Sequence, residues 1–438
     1  MKPILILVVF LSFIFSSDYC SAASKIISDK PEIRSALLKD SQSAKLVESP
    51  AQALPIWQKF RSKKPTLLIL SQDPFLLPIP SAIQTQLQDQ LPTTENEVLL
   101  SRLNPHSANP LLIPRMAVRA ALEAGYFSQI VWVLPSRLDN KPLDLNVLRQ
   151  QLQESGSLSR DEAETLSITE NHFSGRIAAI PFRISTIDNL SSFEGSSLLH
   201  IDLSYFQPLY QGEVKTPLYS LLYQTLDQLR ATNTSAEAVS ISLSNLDGNL
   251  PLATRFVGPT LVRLFSEPKL LDAPLPNNWE LRRKTLYLEN FFQNEKIHEI
   301  YQQLKINTPQ DASASYGHYR LLRELKKGGQ ALESLSKAVQ LDPVYGLEYL
   351  ALATTALKKK RPDQALKMFD LAVEALPDNP FVRMQQAELL SSLGQHSKAS
   401  EILTILKQQT WSEIYYPQMP TYITNAQQQA AQDLKETE

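Results

Sequence analysis

An α/β domain with a mostly parallel sheet, followed by an all-α array of helical hairpins, is the architecture predicted by this 438-residue sequence. Three observations carry the prediction. Between residues 65 and 275, short continuous apolar runs, each closed by turn residues, alternate with segments of helical period, the pattern of βαβ units whose sheet is covered on both faces. Strand-like runs stop near Pro274 and Pro276. Beyond them Pro309, Pro343 and Pro377 recur at 34-residue intervals, and Ala331, Ala365 and Ala399 keep the same phase.

The chain opens with Met1 and Lys2, an apolar run from Pro3 to Phe15, and the small residues Ser21-Ala22-Ala23. That is the pattern of a secretory signal, predicted over 1–23 with cleavage near Ala23. Asp18 and the polar residues after it end the run too early for a membrane anchor. The mature protein is therefore expected to be periplasmic or secreted, with no membrane span after cleavage. The only cysteine, Cys20, falls inside the signal, so the mature chain is expected to lack thiol nucleophiles and thiolate zinc sites. A hydrophobic share of 43% supports more than one packed domain, and a formal charge of -2 gives no basic excess for nucleic acid, which is excluded as a partner.

Residues 24–64 carry apolar positions at loose helical spacing and are predicted as a helical lead-in. The α/β domain is predicted over 65–275. Thr66-Leu67-Leu68-Ile69-Leu70 reads as a buried strand, Met116 to Ala124 as a helix capped by Gly125, and Gln129 to Leu134 as a second strand. Glu154 to Glu170 is polar and reads as a loop-like excursion. Leu198 to Leu203 and Ala238 to Leu243 supply two more strands, with helices at Leu218 to Arg230 and Arg255 to Phe265.

The 34-residue recurrence also holds for Ala338 and Ala372, with Leu335, Phe369 and Leu403 in phase between the small positions. It resembles the tetratricopeptide (TPR) repeat. The resemblance implies antiparallel helix pairs at 312–345, 346–379 and 380–409, a further unit at 278–311 that has Ile297 at the small position, and a capping or frayed tail at 412–438. Small residues at Ala353 and Ala365 allow two backbones to approach, and each proline ends a second helix because it has no amide hydrogen. A protein or peptide partner is then expected in the groove lined by the first helices, at Tyr316, Arg320, Arg323, Leu350, Thr354, Met384 and Glu388. The other reading is an array that packs only on its own α/β domain. Lys358-Lys359-Lys360-Arg361 falls at a hairpin turn, where solvated charge without a function is expected.

Glycine-rich phosphate loops, the serine elbow G-x-S-x-G and the zinc helix H-E-x-x-H do not occur. What remains is His200-Ile201-Asp202-Leu203-Ser204-Tyr205-Phe206, where strand alternation is expected to put His200, Asp202 and Ser204 on one face; the acid Asp73 at the exit of the first strand and the loop residue His106 are further candidates whose convergence the sequence leaves open. Imidazole and carboxylate together suit zinc or manganese. This strand end resembles the Asp-x-Asp-x-Asp-Tyr-Phe motif of a branch of the arginase/deacetylase superfamily, with His200 and Ser204 in place of two acids. Ile69 to Asp73 stands where that family has Asp-x-His-x-Asp and retains Asp73. The resemblance implies an arginase-like three-layer fold with metal ligands at Asp73, His200 and Asp202, and an incomplete ligand set implies a degenerate site. The functional expectation is an exported TPR protein that mediates protein–protein interaction and needs no cofactor. The alternative is an extracytoplasmic metal-dependent hydrolase of carbon–nitrogen bonds that uses manganese or zinc.

Overall fold

The computed structural model describes residues 37–40, 43–93, 96–135, 144–192, 195–246 and 248–437. The signal expected at 1–23 and the lead-in as far as residue 36 lie outside the described residues. The strands are β1 (Ala44–Val47), β2 (Thr66–Leu70), β3 (Gln129–Leu134), β4 (Ser167–Thr169), β5 (His172–Ile177), β6 (Ile180–Thr186), β7 (Ser197–Asp202) and β8 (Ala238–Ser242). They form one sheet in the order β1-β8-β7-β2-β3-β6-β5-β4, parallel from β1 through β6 and antiparallel only at β6-β5-β4.

The four expected strands are the centre of this sheet, because runs such as Leu67 to Leu70 have no polar face and require cover on both sides. Leu67 and Ile69 face one apolar layer and Leu68 and Leu70 the other. The first layer packs under α1 (Leu54–Gln58), α2 (Ser81–Thr93), α3 (Asn96–Arg102), α4 (Ala117–Glu123), α5 (Leu145–Glu154) and α6 (Arg160–Glu164). The opposite layer packs under α7 (Leu218–Ala231) and α8 (Val257–Ser266).

Two expectations are corrected here. The lead-in is not helical throughout: Ala44–Val47 is an edge strand paired in parallel with β8, so the α/β domain begins before residue 65. A four-residue strand carries too little periodicity to stand out from helix. The excursion at 154–170 is structured: α6 opens with a capping box at Ser159 and Glu162, and β4 starts the antiparallel edge.

The helical half consists of α9 (Asn277–Glu289), α10 (Asn294–Asn307), α11 (Ala312–Glu324), α12 (Gly328–Leu341), α13 (Leu347–Lys358), α14 (Pro362–Ala375), α15 (Pro380–Ser392), α16 (His396–Lys407) and α17 (Met419–Thr437). Consecutive helices pack in pairs, α9 with α10, α11 with α12, α13 with α14 and α15 with α16. The recurrence is written in the backbone as well as in the side chains. Phe292, Lys326, Lys360 and Gly394, each 34 residues after the last, are all left-handed with φ of 53°, 57°, 55° and 72°. Each one turns the chain between the two helices of a hairpin, and only the glycine announces it in sequence. Buried Ala353, Ala365 and Phe369 form one cluster, as the small-residue spacing requires. The tail forms α17, which seats Ile423 and Ala430 in the interior.

The array lies along the α/β domain from its first hairpin to its tail. Trp279 of α9 stacks on Tyr219 at 5.8 Å, and Arg282 lies over Phe256 at 4.7 Å while pairing with Asp311 at 2.7 Å. Leu252 and Ala253 pack against the cluster that contains Tyr316, Tyr319 and Tyr345. Arg255 binds Glu48 of the sheet domain and Asp342 of the array, each at 2.7 Å. Further along, the Ser412 amide donates to the Ala108 carbonyl at 3.0 Å.

Candidate functional site

The chain leaves β2 towards β3 on one side and leaves β7 towards β8 on the other, so the adjacent strands β2 and β7 flank a topological switch point. In open parallel sheets ligands collect beyond the carboxyl ends of such a strand pair. Here those ends carry Ser71-Gln72-Asp73 and Asp202-Leu203-Ser204, so Asp73 and Asp202 lie at or just beyond the neighbouring strand ends that border such a crevice. The crevice is laced shut by Gln72, whose side-chain amide donates to the Ser204 carbonyl at 2.9 Å and whose backbone amide meets the Ser204 hydroxyl at 3.3 Å.

Each oxygen of Asp73 accepts one hydrogen bond within the chain. One oxygen accepts from the Phe75 amide at 2.7 Å and the other from Arg115 Nε at 2.7 Å, which holds Phe75 in a left-handed conformation with φ of 55°. Both partners of the ion pair are partly exposed, so the pair itself adds at most about 1 kcal/mol.

His200 and Asp202 belong to a buried relay set up by the parallel register, in which His200 faces Ser240 and Asp202 faces Ser242. Trp57 Nε1 donates to Ser240 Oγ at 3.1 Å, and Ser240 Oγ lies 2.9 Å from His200 Nδ1. His200 Nε2 lies 3.2 Å from Ser242 Oγ, and the hydroxyls of Ser242 and Ser244 both donate to Asp202. The direction of the protons follows from chemistry. With its own hydrogen donated to Asp202, Ser242 Oγ accepts from Nε2–H of His200, which leaves Nδ1 to accept from Ser240. Asp202 also accepts from the Ser204 amide at 2.9 Å.

His200 is therefore a neutral interior histidine, with its ring edge-on to Trp57 and Phe75 at 5.4 and 5.9 Å. Burial pushes its pKa down to about 3. Ser204 does not share the strand face with them, contrary to the alternation expected from sequence. β7 ends at Asp202, and Leu203–Phe206 form one 3-10 turn capped by the Asp202 carboxylate. The serines were present in the sequence as the alternation Ser240-Ile241-Ser242-Leu243-Ser244, and polar residues at every second position of a buried strand are the signal that points to them.

His106 takes no part in this crevice. Its Nδ1 accepts from Asn379 Nδ2 at 2.8 Å and its Nε2 meets the Leu246 carbonyl, so it ties the sheet domain to α15.

The residues expected in the array groove divide into three groups by exposure. Tyr316 and Met384 are buried, the first donating to Glu348 at 2.7 Å and the second packed near Ala108 of the sheet domain. Arg323 is exposed and pairs with Glu348 at 2.7 Å, and Thr354 and Glu388 are exposed as well. Arg320 and Leu350 are half-buried. A concavity of about 520 Å³ opens between α11–α12 and α13–α14, and of the expected groove residues Arg323 lines it.

A pair of histidines sits between α10 and α11. His318 Nε2 lies 2.9 Å from His298 Nδ1, and Lys305 Nζ lies 2.9 Å from His318 Nδ1. Burial first, then the charges of Lys305 and His298, push the His318 pKa down to about 4. In the unfolded chain both His318 and His200 titrate near 6.5, so in acid the unfolded state binds more protons than the folded one. The stability they lend is complete above about pH 6.5 and is lost as pH falls towards 4 for His318 and 3 for His200. Urea midpoints measured from pH 7.5 to 4 are expected to decline, and His318→Gln is expected to flatten the slope. An unchanged slope in that variant refutes the assignment.

The chain matches no known protein-family profile and no curated protein. Among solved structures it matches MamA, with 13% identity over 43% of this chain and 97% of that chain, at a TM-score of 0.22. At that score no argument rests on the likeness.

Proposed function

We propose that this protein is an exported protein-binding scaffold, in which TPR-type hairpins are held rigidly on an α/β platform that resembles the arginase/deacetylase superfamily but has a degenerate site. The division of its polar groups carries this reading. At the switch point each candidate ligand is already satisfied within the chain: His200 by two serines, Asp202 by two hydroxyls and an amide, Asp73 by Arg115 and the Phe75 amide. On the array, by contrast, Lys359, Arg361 and Lys367 stand around an open concavity without ion-pair partners among the described residues.

Affinity capture of the full chain with reversible crosslinking, repeated from the partner's side, tests the scaffold. A protein recovered in both directions in near-stoichiometric amount is expected. Recovery of none in either direction sinks the proposal.

The hydrolase alternative draws on one observation, the placement of Asp73 and Asp202 at the neighbouring strand ends of a switch point. The donor set does not fit a binuclear centre, which calls for about six ligands, because both ring nitrogens of His200 and both oxygens of Asp202 are spent inside the fold. Elemental analysis after purification without chelators, and again after excess manganese or zinc, is expected to find no stoichiometric metal. One or two ions per chain, lost in Asp202→Asn, would reverse the preference. In the scaffold reading Asp202→Asn alters only stability, through its hydrogen bonds.

A further inference from the structure

Two adjacent hairpins, α11–α12 and α13–α14, leave the concavity of about 520 Å³ at their turn ends. Its floor is apolar, formed by Ala331 from α12, Leu352 and Ala356 from α13, and Met368 from α14, with the exposed Leu332 and the polar Thr355 and Gln364 also in the lining. Its rim is cationic, with Arg323 at one side and Lys359, Arg361 and Lys367 at the other, all exposed. Arg323 already serves Glu348. Lys359, Arg361 and Lys367 have no ion-pair partner among the described residues. No acidic residue lines the concavity.

This arrangement differs from ordinary surface charge. Surface lysines commonly pair with acids at i±4 spacing, and Asp363 stands four residues before Lys367, but the two form no ion pair among the described residues. Here the cations converge on a space with an apolar floor that the chain leaves unfilled. A group that fills it has to be apolar in the middle and anionic at both sides, since burying apolar surface supplies affinity and complementary charge supplies orientation and on-rate. A volume of this size takes one or two apolar side chains. A flat anionic membrane would not reach the recessed floor, because membrane-binding surfaces present their apolar groups outward.

We infer that this groove docks an acidic segment of a partner protein, a peptide with one bulky apolar residue flanked by Asp and Glu. The apolar residue sits on Leu352, Ala356 and Met368, and the flanking carboxylates pair with Lys359, Arg361 and Lys367. The inference rests on the scaffold reading and gives that scaffold's partner its chemistry. It also assigns a role to Lys359 and Arg361, which as a turn sequence carried none.

The test uses the full chain and fluorescence anisotropy with labelled peptides of about twelve residues. One has Asp and Glu around a central Leu, a second has Ala at the centre, and a third has Lys in place of the acids. The first peptide is expected to bind, the second several-fold more weakly, and the third not at all. Lys359→Glu/Arg361→Glu/Lys367→Glu is expected to weaken the first peptide by at least about tenfold while melting with the wild type, because these side chains are exposed. Should that variant fail to fold, Lys359→Gln/Lys367→Gln provides the same comparison with a smaller loss. Equal binding by the charge variants, or no binding by the wild type, overturns the inference. So does charge-dependent binding to phosphatidylserine vesicles without peptide binding, which assigns the patch to lipid. If the charge-reversed chain still recovers the partner found by affinity capture, the groove is not its docking surface and the scaffold reading stands alone. If the wild type recovers no partner at all, the scaffold reading itself has failed.

Discussion

Arg255→Ala is expected to destabilise the protein by roughly 3 kcal/mol and to let the helical array unfold ahead of the sheet domain. Arg255 is 5% exposed and holds together parts of the chain far apart in sequence, with Glu48 on one side and Asp342 on the other. Its guanidinium also lies 5.7 Å from the Tyr345 ring and donates to Asn245. Burial alone would lower its pKa, and the hydrogen bonds and charges of Glu48 and Asp342 more than offset that and raise it. Truncation leaves two carboxylates facing a void with no counter-charge. Because both are partly solvated, the loss stays near the lower end for broken buried pairs. Arg255→Lys is expected to recover only part, since one ammonium cannot serve two carboxylates as a planar fork does. Chemical denaturation followed by both tryptophan fluorescence and far-UV circular dichroism is the measurement. Coincident transitions at the wild-type midpoint would sink the claim.

Ala365→Trp is expected to be as damaging, by at least about 3 kcal/mol, through overpacking. Ala365 has no exposed surface and meets Ala353, Ala356 and Phe369 where α13 and α14 cross. An indole does not fit between two helices brought together by alanines, so the hairpin has to open and expose Phe369 and Leu389. Lys359→Ala, at the exposed turn of the same hairpin, should change stability by no more than about 0.5 kcal/mol. Equal melting temperatures for the wild type and Ala365→Trp would refute the repeat register.

Much of the architecture was legible in the sequence because it rests on local periodicity. The strands Thr66–Leu70, Gln129–Leu134, Ser197–Asp202 and Ala238–Ser242 announce themselves as apolar runs, since a strand at the centre of a parallel sheet has no solvent face. The hairpins announce themselves through alanines and prolines at a fixed interval, since each unit repeats the same close helix crossing. Edge elements were less legible. Ala44–Val47 and Ser167–Thr169 are short and partly exposed, so neither length nor polarity sets them apart from their surroundings.

The candidate site was legible as a location and illegible as chemistry. Asp73 and Asp202 do lie at neighbouring strand ends of one switch point, because strand order carries the carboxyl ends of β2 and β7 side by side. What each residue does there depends on partners from other strands. Register places Ser240 and Ser242 opposite His200 and Asp202, and this turns an apparent ligand pair into an internal hydrogen-bond relay. The same holds for the array. Its sequence determines helices, turns and the positions of Lys359, Arg361 and Lys367, while only tertiary packing decides that Tyr316 and Met384 are covered and that the cations surround an open cavity. Local pattern follows from hydrogen bonds a few residues apart, which any single sequence records. Burial and pairing follow from contacts such as Arg255 with Glu48 and His106 with Asn379, whose partners are brought together only by the fold.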